Sequence, residues 1–185
     1  MSLVQIKLPE AEPEPTGHPV DALLACHARI REFTDLSARL ASSHADPESA
    51  RSAAAAVRQY FALALPLHEA DEDLSIAPRL RALQPPDTVL QALDLVARQH
   101  PDIDRVIGRM MPLWEAIEAD GAKLPALAEQ LSKATERLSM IWTPHLSLEE
   151  AEVFPAIRAL LTPEALEAVR AEMAERRRPG SAEGQ

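Results

Sequence analysis

Apolar residues recur at helical spacing in four long stretches of this chain and in one shorter stretch. The first runs from about Val20 to Ala41 and carries Val20, Leu23, Ile30, Phe33 and Leu40 on one stripe. The second runs from about Pro47 to Leu83, with Ala54, Val57, Phe61, Ala64 and Leu65 on one face. The third, Pro86 to Ala119, carries Leu93, Val96, Ile103, Ile107, Met110, Trp114 and Ile117. The fourth, Pro125 to Leu161, carries Leu127, Leu131, Ala134, Leu138, Ile141, Leu148, Val153 and Ile157. A fifth runs from Pro163 to about Arg178. Asp46 before Pro47 and Thr162 before Pro163 have the form of an N-cap followed by proline at the first helical position. The breaks SSHADP, QPPD and ADGAKLP are short, and short links between long helices force antiparallel neighbours. The pattern predicts an all-α fold: an antiparallel up-down-up-down four-helix bundle over residues 19–161, with an extra C-terminal helix over 162–178 packed outside it. Residues 1–18 are rich in proline and acid and read as an extended or flexible tail. Residues 179–185 read as a disordered tail.

Composition sharpens this picture. The 185 residues suit one domain, and 46% apolar content suffices for a buried core. The formal charge of -10 argues against a nucleic-acid or anionic-membrane partner, which needs a basic face. No apolar run reaches the roughly 18 residues of a membrane span, and no signal peptide is evident. The single cysteine, Cys26, excludes an internal disulfide and points to a reducing, cytoplasmic setting. It reads as a small packed residue rather than a redox thiol.

The histidines carry the candidate chemistry. His18 and His44 lie in the tail and the first break, but His27, His68, His100 and His145 fall one per long helix, each on its apolar stripe. In an antiparallel hairpin, residues at one level are equidistant from the turn. The midpoint of His27 and His68 falls beside Asp46–Pro47, that of His68 and His100 at Gln84–Pro86, and that of His100 and His145 between Gly121 and Lys123. At ~1.5 Å rise per residue, a mismatch of two or three residues is only ~3–5 Å. Four imidazoles therefore meet at one level of the bundle.

Carboxylates join them. Glu72 follows His68 by four residues and Glu149 follows His145 by four, spacings that share a helix face. Glu69 reaches the same level from the side, and Glu150 and Asp104 are further candidates. A lone core histidine is ordinarily just hydrogen-bonded. Buried carboxylates without a lysine or arginine on the same stripes are costly unless they bind a metal. Imidazole plus carboxylate suits iron or a similar first-row metal, and the four histidines with Glu69, Glu72 and Glu149 make seven candidate ligands, which suit two ions rather than one. The ferritin-like alternative uses Glu-x-x-His on two helices. Leu65, Ala97 and Trp142 stand three before His68, His100 and His145, so that motif is absent. Phe61 and Trp142 read as core residues that also line the site. Pro66, Pro101 and Pro144 lie within two residues of a histidine, and either widen the bundle for metal or merely curve its helices.

The stretches CHARIREF, LPLHEADED, RQHPDIDRV and PHLSLEEAEVFP resemble those of the hemerythrin family, the HHE cation-binding domains. The order His, His-x-x-x-Glu, His, His-x-x-x-Glu over residues 20–161 carries the resemblance. It implies a non-haem centre of two iron ions, bridged by carboxylates, with His27, His68, Glu69, Glu72, His100, His145 and Glu149 as metal ligands. Glu72 and Glu149 would be the bridges, and Glu69 matches a carboxylate that replaces a histidine in some relatives. Two departures stand out. Oxygen carriers of the family have a second histidine where this chain has Asp104, and their last carboxylate corresponds to Glu150 rather than Glu149. More anionic oxygen donors favour ferric iron, which moves the expectation from oxygen carriage toward sensing, iron handling or slow oxidation chemistry. The implied partner is a small diatomic ligand or peroxide. With no acid or base evident beyond the ligands, binding or sensing is expected before turnover. An enzyme that reduces peroxide or nitric oxide, or oxidises ferrous iron, is the alternative.

Overall fold

The computed structural model describes residues 17–178. The expected tail 1–18 lies outside these residues except for Gly17 and His18, and the expected tail 179–185 lies wholly outside them. The described residues are helical almost throughout. The first segment is α1 (Pro19–Ser42), whose N-cap is His18. The second is α2 (Pro47–Gln59), α3 (Leu65–Ala70) and α4 (Ala77–Ala82), joined by π-helical turns at Tyr60–Ala64 and Asp71–Ile76. The third is α5 (Asp87–Ala119). A 3₁₀ turn at Gly121–Lys123 leads into α6 (Leu124–Leu148), and a third π turn, Glu149–Val153, joins it to α7 (Phe154–Leu160). The last helix among the described residues is α8 (Pro163–Arg176).

The expected caps form. The Asp46 carboxylate accepts from the Glu48 and Ser49 amides at 3.0 Å each, and the Thr162 hydroxyl accepts from the Ala165 amide at 3.3 Å. The second and fourth segments are not the uninterrupted α-helices that periodicity predicts. Each π turn is followed, two residues into the next α segment, by a proline: Pro66, Pro78 and Pro155. Proline clashes with the carbonyl four residues before it and offers no N–H to it. Those carbonyls belong to residues 62, 74 and 151, each inside a π turn. Widening to the longer hydrogen-bond step relieves the conflict. Pro101 and Pro144 sit inside uninterrupted α-helix, so of Pro66, Pro101 and Pro144 only Pro66 adjoins a widened turn.

α1 packs against α2 and α6, and α5 packs against the same two. Ser37 of α1 meets Thr135 of α6 at 3.0 Å and accepts from the Trp114 indole of α5 at 3.1 Å. The core falls into two apolar clusters. One holds Ile30, Phe33, Phe61, Leu65, Ile103, Trp114, Leu138 and Trp142. The other holds Leu23, Ile76, Leu80, Leu93, Val153, Ile157, Val169 and Met173. His27, His68, His100 and His145 each fall between members of the two clusters along their own helices, so a polar layer is set between two dry ones. No helix among the described residues is long and apolar enough to cross a membrane.

The link into α6 is tight. A Cβ added at Gly121 would stand 1.9 Å from the Pro47 carbonyl oxygen at the start of α2. Gly121→Ala is expected to destabilise the protein by about 1–3 kcal/mol through backbone overpacking. Equilibrium urea unfolding checks this.

Candidate metal centre

Each candidate ligand reaches the polar layer from a different piece of helix. α1 presents His27, α3 presents His68, α5 presents His100, and the last turn of α6 presents His145. Glu72 and Glu149 stand inside the second and third π turns. All six side chains are buried. They form two groups of four: His27, His68, Glu72 and Glu149, and His100, His145, Glu72 and Glu149. Within each group one ligating atom per residue lies within 4.8 Å of the others. The two carboxylates are common to both. The imidazoles pair accordingly, with the His27 and His68 rings 5.2 Å apart and the His100 and His145 rings also 5.2 Å apart.

The direction of the ring nitrogens is informative. His27 Nδ1 lies 2.8 Å from a Glu150 oxygen, His100 Nδ1 lies 3.1 Å from Asp73, and His145 Nδ1 lies 3.0 Å from the Gln99 side-chain oxygen. An acceptor on Nδ1 holds the proton there and leaves the Nε2 lone pair free, the arrangement of a metal-bound histidine. The Nε2 atoms turn inward. His27 Nε2 is 3.1 Å and His145 Nε2 3.2 Å from Glu149 oxygens, while His68 and His100 Nε2 are each 3.5 Å from Glu72 oxygens. These contacts lack hydrogen-bond geometry. All four Nε2 atoms and all four oxygens of Glu72 and Glu149 are without a hydrogen-bond partner among the described residues. Buried polar atoms are almost always paired. Eight orphans converging on one spot fit a cation that satisfies them.

Protonation agrees with the geometry at three of the four imidazoles. Burial, opposed by Glu150, lowers the His27 pKa to about 4. Burial lowers His68 to about 4 and His145 to about 3. Those three imidazoles are neutral at pH 7 and ready to ligate. Burial also lowers His100, but Asp73 and Glu72 outweigh it and push the pKa up to about 10. Glu149 is raised well above the carboxylate range, by burial first and by the neighbouring Glu72 charge second. Without metal, the layer takes up protons in place of cations.

The other candidates take different places. Glu69 belongs to neither group of four. Its Oε1 is buried without a hydrogen-bond partner, and its carboxyl is pushed up to about 8, chiefly by burial. Glu150 stands outside both groups and bridges His27 to Arg31, at 2.8 Å from each. Asp104 is exposed and belongs to neither group. Phe61 stacks on Trp114 in the core, whereas Trp142 meets the His145 ring edge-on at 5.5 Å. Asp73 and Gln99, which orient two of the imidazoles, were missed in the sequence. Each adjoins a candidate ligand, Glu72 and His100 in turn, and that adjacency was the available signal.

A family model described as the hemerythrin HHE cation binding domain matches residues 18–157. The chain belongs to that family. No curated protein matches it. The matched span of this hemerythrin HHE domain contains all six converging ligands and ends before α8.

Proposed function

We propose that this hemerythrin HHE domain is an antiparallel up-down-up-down bundle that holds two iron ions and binds or senses dioxygen or a related small ligand such as peroxide or nitric oxide. His27 and His68 would hold one ion, His100 and His145 the other, and Glu72 and Glu149 would bridge them. One observation carries the reading: two buried groups of four share both carboxylates, with every facing lone pair otherwise unused. The mixed imidazole and carboxylate donor set suits iron among the first-row metals. When bound, the iron pair supplies redox-active positions open to a small ligand. The chain's own residues do the rest. Glu150, Asp73 and Gln99 fix three imidazoles in the ligating tautomer, and the two apolar clusters exclude water on either side.

A second reading, an enzyme that reduces peroxide or nitric oxide with an external reductant, draws support from Glu69. Its raised pKa keeps a carboxyl proton beside the layer at neutral pH. Turnover of peroxide needs such a donor.

Metal analysis of the purified protein, with its absorption spectrum in air, tests the first reading. The expected result is about two irons per chain, one for each group of four, with near-ultraviolet charge-transfer bands that disappear in His68→Ala. Zinc or manganese at the same stoichiometry would keep the geometry and remove the oxygen chemistry. No metal above background would overturn the reading. Steady-state peroxide consumption by the iron-loaded protein, lost in Glu69→Gln, would select the enzyme.

A further inference from the structure

The C-terminal helix α8 lies beyond the matched span, yet it is fastened to one particular place. Its apolar residues Val169 and Met173 are buried in the same cluster as Ile76 and Leu80. Its polar residues, with Arg177 at its C-cap, meet the π turn Asp71–Ile76. Arg176 Nη1 donates to Asp71 Oδ1 at 2.7 Å, and Arg177 Nη2 donates to Asp71 Oδ2 at 2.7 Å. Arg176 Nη2 also donates to the Ser75 hydroxyl at 2.6 Å, and that hydroxyl donates to Glu172 at 2.5 Å. Arg79, just past the turn, bonds Glu172 at 2.6 Å and the Ser75 carbonyl at 2.8 Å. Asp71 is 0% exposed, and each of its oxygens is taken by one arginine.

Asp71 is the residue before Glu72, and Glu72 belongs to both groups of four. A π turn is less well hydrogen-bonded than an α turn and is held by its surroundings. Glu72 itself has no hydrogen-bond partner among the described residues to fix its carboxylate. The geometry points to α8 as a positioning element for the metal centre: through Asp71 and Ser75, Arg176 and Arg177 lock the π turn so that Glu72 faces both histidine pairs. This inference rests on the proposed dinuclear site. The two arginines bond the turn at Asp71 and Ser75 rather than at Glu72. They act through the turn, from outside the segment that carries the family motif. Losing them leaves a buried carboxylate without its counter-charges, and rotating Asp71 toward water relieves that burial. That rotation carries Glu72 with it.

Titration of the metal-free, full-length protein with cobalt(II) tests this, because the visible bands of cobalt report ligand geometry as well as occupancy. The parent is expected to bind two equivalents. The double variant Arg176→Gln/Arg177→Gln is expected to bind both about 10–100-fold more weakly, the usual effect of losing outer support for a metal ligand, with altered band positions. Arg176→Lys/Arg177→Lys is expected to recover part of the affinity. The singles Arg176→Gln and Arg177→Gln each leave one arginine on Asp71, and therefore remain informative if the double variant does not fold. They are expected to show smaller losses in the same direction. Arg170→Gln, whose partner Glu167 is on α8 itself, is expected to change nothing. Variants with lowered Tm but parental affinity and bands would overturn the positioning role and leave a merely structural one. A parent that binds no cobalt would instead sink the dinuclear site itself.

Discussion

Glu149→Gln is expected to lose metal at both positions and yet, free of metal, to be more stable than the parent. Glu149 is 1% exposed and is common to both groups of four. In the metal-free state its charge is opposed by burial and by Glu72, so the fold holds it protonated far above the pH at which an unfolded chain would release the proton. Above the ordinary carboxylate range, folding must therefore either take up a proton at this side chain or bury its charge, and each lowers stability. Glutamine keeps the shape, removes the charge and supplies an N–H₂ for a neighbouring carboxylate or imidazole. A gain of about 1 kcal/mol is expected, which is about 2–4 °C in Tm for a chain of this size. An amide is a poor ligand and no bridge, so affinity for the first and second ions is expected to fall about 100-fold or more. Calorimetry in chelator and metal titration read the two effects separately. If Glu149 served only as a hydrogen-bond acceptor for His27 and His145, the same substitution would lower the Tm and leave metal binding alone.

What is legible in the sequence, and what is not, follows from the range of the interactions involved. Asp46–Pro47 and Thr162–Pro163 were legible because a cap is a local interaction of adjacent residues, and both caps form. The convergence of His27, His68, His100 and His145 was legible because short links leave a long helix little freedom to slide, so depth is set by counting from the turn. Counting four from His145 points to Glu149 and the family correspondence points to Glu150; the structure turns Glu149 inward. The π turn starts at Glu149, and a widened turn alters which residue faces inward. The warning is present in Pro66, Pro78 and Pro155, each of which must disturb the carbonyl four residues earlier. Asp73 and Gln99 were invisible to periodicity because they support the site from across helix boundaries. The clamp on Asp71 was invisible for another reason. It joins residues more than a hundred positions apart, and nothing in RRR distinguishes a clamp from a solvated helix end.

Metal loading is expected to raise the Tm by roughly 10–20 °C near pH 8, and by progressively less as the pH falls, with no effect remaining near pH 4. Each ion present at a hundredfold excess over its dissociation constant adds about 2.7 kcal/mol. Two ions together give about 5 kcal/mol, and each kcal/mol is worth about 2–4 °C. The pH dependence follows from which protons the cations replace. His27, His68 and His145 have folded pKa values near 4, 4 and 3, below the unfolded value. The stability they leave intact above about 6.5 is lost as pH falls through that window, because the unfolded chain then takes the protons. Glu69 at about 8, His100 at about 10 and the raised Glu149 work in the opposite sense. Their stabilising protons are fully held below the unfolded pKa values and are given up as pH rises through the folded ones. The metal-free protein is thus squeezed from both sides, with its stability greatest in mildly acidic solution. Cations fill the layer where its protons have left, so the metal increment grows toward alkaline pH while the metal-free Tm declines. Melting curves from pH 4 to 9, with iron or cobalt and with chelator, measure both trends. An increment independent of pH would mean that the added metal binds surface carboxylates, whose protons are already gone, rather than the buried histidine and glutamate layer.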